Sequence, residues 1–134
     1  MNAAESIKQG TTARAQGDRN TARAHYSQAA ETYRHEANHL AYAHTIRHIA
    51  DMYLDESAFE LASPLYEEAL EIYRSSLDSR VLDLANAIRP YAILNEATGN
   101  RDVARNLWEE ARTLYASVRV ADGVAECETH LSNL

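Results

Sequence analysis

Five of the six histidines lie in the first half of the chain, at His25, His35, His39, His44 and His48. His44 and His48 are four residues apart and Asp51 continues their stripe, so a helix would present two imidazoles and a carboxylate on one side. That set could ligate Zn or Ni. The H-E-x-x-H protease signature is absent, because Thr45-Ile46-Arg47 separates the two histidines. Solvated histidines that protonate at about pH 6.5 give the same pattern, so no cofactor is expected and the metal site stays an alternative.

The sequence gives little support for catalysis. There is no glycine-rich phosphate loop and no G-x-S-x-G elbow. Cys127 falls on a stripe that predicts burial, which removes it as a nucleophile. The acidic pairs Glu67-Glu68 and Glu109-Glu110 are typical of exposed helix surface. We therefore expect a protein that is not an enzyme.

The composition predicts a helical protein. The 134 residues include 24 Ala, 13 Leu and 13 Glu but 4 Gly and 2 Pro, a bias toward helix formers. No apolar run exceeds four residues, which predicts neither a membrane span nor a signal peptide. The formal net charge of -7 argues against nucleic acid, and one cysteine makes a cytoplasmic location the expectation.

Three segments repeat one pattern of small and aromatic residues. An alanine is followed four residues later by an aromatic residue, and three residues after that by a second alanine. The triplets are Ala22/Tyr26/Ala29, Ala62/Tyr66/Ala69 and Ala104/Trp108/Ala111, with spacings of 40 and 42. A small residue lies twelve positions before each triplet, at Gly10, Ala50 and Ala92. Such a period is typical of helix-turn-helix solenoids, where small residues allow close helix crossings.

With these repeats the chain resembles the tetratricopeptide repeat family, whose pattern is W-x2-L-G-x2-Y, then A-x3-F, then A. The second repeat fits best in residue type, at Ile46, Ile49, Ala50, Tyr53, Ala62, Tyr66 and Ala69. Its segment SPLYEEALEIY resembles the long-period repeats of kinesin light chain and related bacterial proteins. The first repeat departs from the pattern in its opening helix, and the third departs at Asn95.

This resemblance implies an all-α fold, a right-handed α-solenoid of three helix pairs plus a C-terminal capping helix. We predict one domain over residues 1–134, with repeats at about 3–37, 39–78 and 80–117 and the capping helix at about 120–133. The predicted helices are 3–16, 18–36, 39–56, 58–77, 80–98, 100–117 and 120–133.

Helix ends are indicated by particular residues. Gly17 and Gly99 can end helices in a left-handed conformation, and Asp18 and Asn100 follow as N-caps. Glu56-Ser57 takes the same place in the middle pair without a glycine. The last helix presents its apolar residues on one side, at Val124, Cys127, Leu131 and Leu134.

The two prolines have different expected effects. Pro64 lies early in its helix, where proline is tolerated. Pro90 lies near the middle of its helix, so it should free the carbonyl of Asn86 and kink the helix.

In the family that the chain resembles, the first helix of each pair lines a concave groove, which implies a binding surface. The candidate residues are those not used in packing. They are Lys8, Thr11 and Arg14, then His44, Arg47, His48, Asp51 and Asp55, then Asn86, Arg89, Ile93 and Glu96.

Arg47 and Arg89 occupy equivalent positions in adjacent repeats, so we expect their guanidiniums to lie side by side and to grip an acidic group of a partner. The alternative is local pairing, since Arg47 has Asp51 at i+4 and Glu96 is seven residues beyond Arg89. Some family members bind chaperone C-terminal carboxylates through Lys and Asn clamps. The aligned places do not reproduce that clamp, holding Ile7, Thr11, His48, Asn86 and Pro90.

The predicted function is therefore a protein-protein interaction module or scaffold that binds a peptide or helix of a partner in its groove. Two alternatives stay open. One is a small-ligand or metal-binding regulatory domain that uses His44, His48 and Asp51. The other is a self-associating homo-oligomer, suggested by the weakly apolar first helix, whose one large aliphatic residue is Ile7.

Overall fold

The computed structural model describes residues 1–134 and consists of seven helices without a strand. The helices are α1 (Ala3–Ala15), α2 (Arg19–His35), α3 (His39–Asp55), α4 (Phe59–Ser75), α5 (Val81–Ala97), α6 (Arg101–Ser117) and α7 (Ala121–Ser132). This confirms the predicted all-α fold of the α-solenoid class. The observed ends fall within two residues of the predicted ones, as expected where helix termini fray. None of the helices combines the length and apolar composition that a bilayer crossing needs.

The chain divides into two compact units, Met1–Ile72 and Tyr73–Leu134. The first unit contains α1, α2, α3 and most of α4, and the second contains the end of α4 with α5, α6 and α7. Within the first unit α1 packs on α2 and α2 on α3; within the second, α5 packs on α6 and α6 on α7. The single domain over residues 1–134 stays a prediction.

The repeated small and aromatic residues form the cores of both units. All six alanines of the three triplets have no exposed surface, and neither have Ala50 and Ala92. Tyr26, Tyr66 and Trp108 are buried as well. A Cβ placed on Gly10 would lie 3.1 Å from ring atoms of Tyr26. The repeat pattern in the sequence is therefore a pattern of close helix crossings filled by one aromatic ring each.

The turns after five of the helices share one left-handed backbone conformation. Gly17 and Gly99 have φ of 80° and 83°, as their residue type predicts. Ser57 has a φ of 58°, which confirms that it replaces a glycine. Ala37 (55°) and Arg119 (59°) take the same left-handed conformation, and nothing in their side chains predicts it. Each of these residues is followed by a backbone hydrogen bond back to the last turn of its helix, such as Asp18 N–H to the Ala13 carbonyl at 2.9 Å.

Of the two predicted N-caps, Asp18 is confirmed and Asn100 is wrong. The Asp18 carboxylate caps α2 by accepting from the Thr21 N–H at 3.2 Å. The Asn100 side chain does not cap α6; its amide donates to the buried Asn95 side chain at 3.2 Å. A buried amide needs its own partners, and that need takes precedence over the cap. Pro90 is buried within α5, which runs unbroken from Val81 to Ala97, and the kink stays a prediction.

Candidate functional site

The predicted residues on α1 do not share one face. Thr11 and Arg14 lie at i+4 and i+7 from Ile7, so the three follow one stripe. All three line a cavity of about 290 Å³ in the first unit. Lys8 is turned away from that stripe and lines a separate open cavity of about 580 Å³ with Asp18 and other residues of α1 and α2. The structure therefore groups Thr11 with Arg14 and separates Lys8 from them.

α3 contributes both predicted histidines to the same 290 Å³ cavity. The Nε2 atoms of His44 and His48 lie 3.1 Å apart, and the two rings meet edge to face with centroids 4.6 Å apart. This contact requires one ring nitrogen to donate and the other to accept. The His48 ring also lies parallel to Tyr26, at 6.3 Å between centroids, so an aromatic of the second helix fixes its orientation.

The pKa of His48 is lowered to about 3. Burial is the largest cause, since a charged imidazole loses hydration in this site. The positive charge of Arg47 is the next cause, followed by His44 and Arg14. His48 is thus a neutral hydrogen-bonding group at neutral pH, and both arginines act on it electrostatically.

Asp51 belongs to a second set of contacts that faces α4. Its Oδ1 accepts a hydrogen bond of 2.6 Å from the Tyr66 hydroxyl, and its Oδ2 lies 3.3 Å from Arg47 Nε. The pKa of Asp51 is raised because burial outweighs the stabilising effects of Arg47, Tyr66 and Arg14. The pKa of Tyr66 is raised too, by burial first and by the neighbouring carboxylate second. These contacts confirm the local i,i+4 pairing of Arg47 with Asp51.

The metal alternative is not supported by this arrangement. His44 and His48 face each other, while the Asp51 carboxylate is engaged with Arg47 and Tyr66. No group of three or more His, Cys, Asp or Glu side chains in the chain could hold a metal ion. His44 with His48, and Asp51 with Arg47 and Tyr66, thus form two separate sets of contacts, and the metal site stays an alternative.

The remaining predicted residue of the first unit is Asp55. It is exposed and lies 3.6 Å from Arg14 Nη2. This separation is longer than a hydrogen bond, and an exposed ion pair of this kind contributes about 0–1 kcal/mol.

In the second unit the predicted residues of α5 are engaged within the protein. Asn86 Oδ1 accepts from the Tyr115 hydroxyl at 2.7 Å. Arg89 forms a two-pronged contact with Glu126 of α7, with Nη2 to Oε2 at 2.8 Å. That contact lowers the pKa of Glu126, its largest cause being the hydrogen bond from Arg89. The expected local partner of Arg89, Glu96, is not the residue that pairs with it.

Glu96 instead joins α5, α6 and α7. Its Oε2 accepts from Trp108 Nε1 at 3.1 Å and lies 2.7 Å from His130 Nδ1. The His130 ring stacks on Trp108 with 4.1 Å between centroids and 15° between planes. Ile93 is half-buried on the same helix. The sequence identified Trp108 through the repeat but carried no signal for His130, because that contact depends on how α7 docks.

Comparison with known proteins agrees with this architecture. A family model described as "Tetratricopeptide repeat" matches residues 2–75. A solved structure described as the N-terminal domain of stress-induced protein-1 (STI-1) from C. elegans superposes with a TM-score of 0.72 at 19% identity, over 94% of each chain. No curated protein sequence matches the chain. The structural likeness, at this identity, concerns the fold.

Proposed function

Because the chain belongs to the tetratricopeptide repeat family, we propose that it is a protein-interaction module holding a peptide or helix of a partner on the first helices of its repeats. Repeats of this family generally mediate contacts between proteins. The proposal includes a non-enzymatic role and a cytoplasmic location, with which the free and buried thiol of Cys127 is compatible. The proposed contact residues are Lys8, Thr11, Arg14, His44, Arg47, His48, Asp51, Asp55, Asn86, Arg89, Ile93 and Glu96.

The state of Arg47 is the observation that carries the proposal. Its side chain is 19% exposed, yet its buried Nε donates no hydrogen bond, and Asp51 approaches it at 3.3 Å in poor geometry. Buried donors are normally satisfied. A carboxylate of a partner would bind at the exposed part of this side chain and form a charge-assisted bond there.

Arg89 would contribute by exchanging its internal contact with Glu126 for one with the bound segment. Its contact with Glu126 is 44% exposed on the arginine side, so solvent and salt weaken it. An acidic group of a docked segment can replace Glu126 at small cost. We therefore assign both arginines to an acidic group of the partner. Arg47 makes the weaker of the two contacts within the protein.

The test compares partner capture by the native chain with capture by an Arg47→Ala/Arg89→Ala variant. Losing both charge-assisted contacts should weaken binding by about 1.5–3 kcal/mol per arginine. The matched control is Arg34→Ala/Arg101→Ala, which removes the same charge from exposed positions on α2 and α6. We expect the control to retain the partner and the groove variant to lose it, at a temperature where circular dichroism shows both variants to be folded.

Equal recovery of the partner by both variants, with equal resistance to salt, would contradict the proposal. It would show that binding uses another surface. Sedimentation of the purified chain separates the self-association alternative, because a second copy as partner would raise the mass in the absence of any other protein.

A further inference from the structure

The 290 Å³ cavity of the first unit has a charge composition unlike that of the whole chain. Arg14, His44 and His48 line it, and no carboxylate is among its lining residues. The chain as a whole has 20 acidic and 13 basic side chains. A cavity that is lined by a cation and two imidazoles, and that avoids carboxylates in an acidic protein, is complementary to an anion.

The Arg14 guanidinium has donors to spare. It makes no hydrogen bond within the protein, and its ion pair with Asp55 is at 3.6 Å. Arg23 on α2 shows the contrast, because it donates to Glu56 and to Asn20 at 2.7 Å each. Of these two arginines, Arg14 keeps its planar fork available for a bidentate contact.

The two imidazoles supply further polar contacts. The pKa of His48, about 3, reflects burial and then the nearby charges of Arg47, His44 and Arg14. The same two guanidiniums that disfavour a proton on this ring would favour a carboxylate beside it. Tyr26 faces the ring from α2, and its hydroxyl is already bonded to Thr11 at 3.0 Å.

The rest of the lining is largely apolar in character. Ile7 and Ala41 contribute aliphatic surface, and Tyr26 and Tyr33 contribute aromatic rings. Such a surface suits a short methylene stem that carries one polar end. One lining cation balances a single negative charge, whereas a phosphate brings nearly two.

From this geometry we infer that the cavity is a subsite for the side-chain carboxylate of a glutamate in the partner segment. The carboxylate binds Arg14 and the His44/His48 pair, and the methylenes lie on Ile7 and Tyr26. The inference rests on the proposed function, because it names the group by which the partner is held. It deepens that proposal at three of its contact residues, since it assigns a glutamate side chain to Arg14, His44 and His48, whereas Arg47 and Arg89 carry the proposal above.

The test is a titration of the full chain with N-acetyl-glutamate methylamide, followed through the imidazole signals of His44 and His48 by NMR. We expect saturable shifts of these two rings, and no shift of His35, which is exposed on α2. The N-acetyl-glutamine methylamide probe has the same shape without the charge and should leave the signals unchanged. Arg14→Gln should weaken the response about tenfold or more, whereas Arg19→Gln, which removes an exposed arginine outside the cavity, should not.

Two further probes separate other anions. N-acetyl-leucine has a terminal carboxylate, and phenyl phosphate has a phosphate group with nearly two negative charges. Tighter binding of either one than of the glutamate probe would overturn the assignment to a side-chain carboxylate. Absence of any saturable shift, or equal shifts with the glutamine probe, would overturn the anion subsite itself.

Failure of the subsite and failure of the proposed function give different results. If a partner is lost by Arg47→Ala/Arg89→Ala while the glutamate probe gives no shift, the subsite is wrong and the groove proposal stands. If the probe binds in an Arg14-dependent way while partner capture ignores Arg47 and Arg89, the groove proposal is wrong in those residues and the subsite stands.

Discussion

Replacing Trp108 tests how the second unit is held together. The side chain has no exposed surface, stacks on His130 at 4.1 Å and donates to Glu96 at 3.1 Å. It therefore connects α5, α6 and α7 through one ring. Trp108→Ala removes the ring and leaves a cavity that α7 can fill only by moving.

The expected loss follows from these contacts. Truncating a fully buried tryptophan costs about 3–5 kcal/mol, of which the stacked pair supplies about 0.5–1.5 kcal/mol. A chain of this size has a total stability of about 5–15 kcal/mol. Trp108→Ala should therefore remove about a fifth of this stability or more. Trp108→Phe keeps a stacked ring and loses the Nε1–H donor, so about 1 kcal/mol is expected.

The measurement is urea denaturation followed by far-ultraviolet circular dichroism, which does not depend on the tryptophan itself. Because the chain has two compact units, a variant weakened in the second unit should show an earlier partial transition. The Trp108→Phe variant is the matched control. A loss below about 1 kcal/mol for Trp108→Ala would refute the reasoning, since it would mean that the ring does not support the docking of α7.

Three other perturbations follow from single side chains. His48 should make the chain less stable in acid, because its pKa in the folded chain, about 3, lies below the ordinary value of a histidine. The unfolded chain therefore binds the proton first. The free energy of unfolding should fall as the pH drops from about 6.5 toward about 3. His48→Gln should flatten that fall in pH-dependent urea melts, and an unchanged slope would contradict it; His35→Gln, at an exposed site, is the control. Gly123→Ala should destabilise the chain by about 1–3 kcal/mol, because the new Cβ would lie 2.5 Å from Cγ of Tyr115; a rise in the melting temperature would show that α7 is not packed so closely on α6. Burial raises the pKa of the Cys127 thiol to about 11. The thiol should therefore react with an aromatic disulfide reagent only as fast as the second unit opens. Rapid labelling of the native chain in mildly alkaline buffer would contradict the burial of this thiol.

The repeat pattern was predictable from sequence because its physical cause is local. A methyl group at a helix crossing and an aromatic ring one turn later are requirements of residue size. They recur at Ala22/Tyr26/Ala29 and its two equivalents, all of which are buried. The helix ends at Gly17 and Gly99 were predictable for the same reason, because φ above zero favours glycine.

The candidate site was predicted less completely, because helical periodicity gives the face of a side chain and not its partner. Asp51 and Glu96 were placed on the correct helices. Their partners, Tyr66 for the first and Trp108 with His130 for the second, come from other helices. The i,i+4 pair of Arg47 with Asp51 was visible in the sequence, whereas the pair of Arg89 with Glu126 was not, since 37 residues separate them.

The sequence by itself thus determined the seven helices, the helix ends at Gly17 and Gly99 and the buried residues of the repeat, since these depend on residue size and backbone preference over a few turns. Tertiary structure alone decided which polar groups remained available. It engaged Asn86, Arg89 and Glu96 within the second unit and left Arg14 without a hydrogen bond beside His44 and His48. The physical reason is that a charged group takes the acceptor that packing brings within about 3 Å, and that choice is made between helices rather than along one.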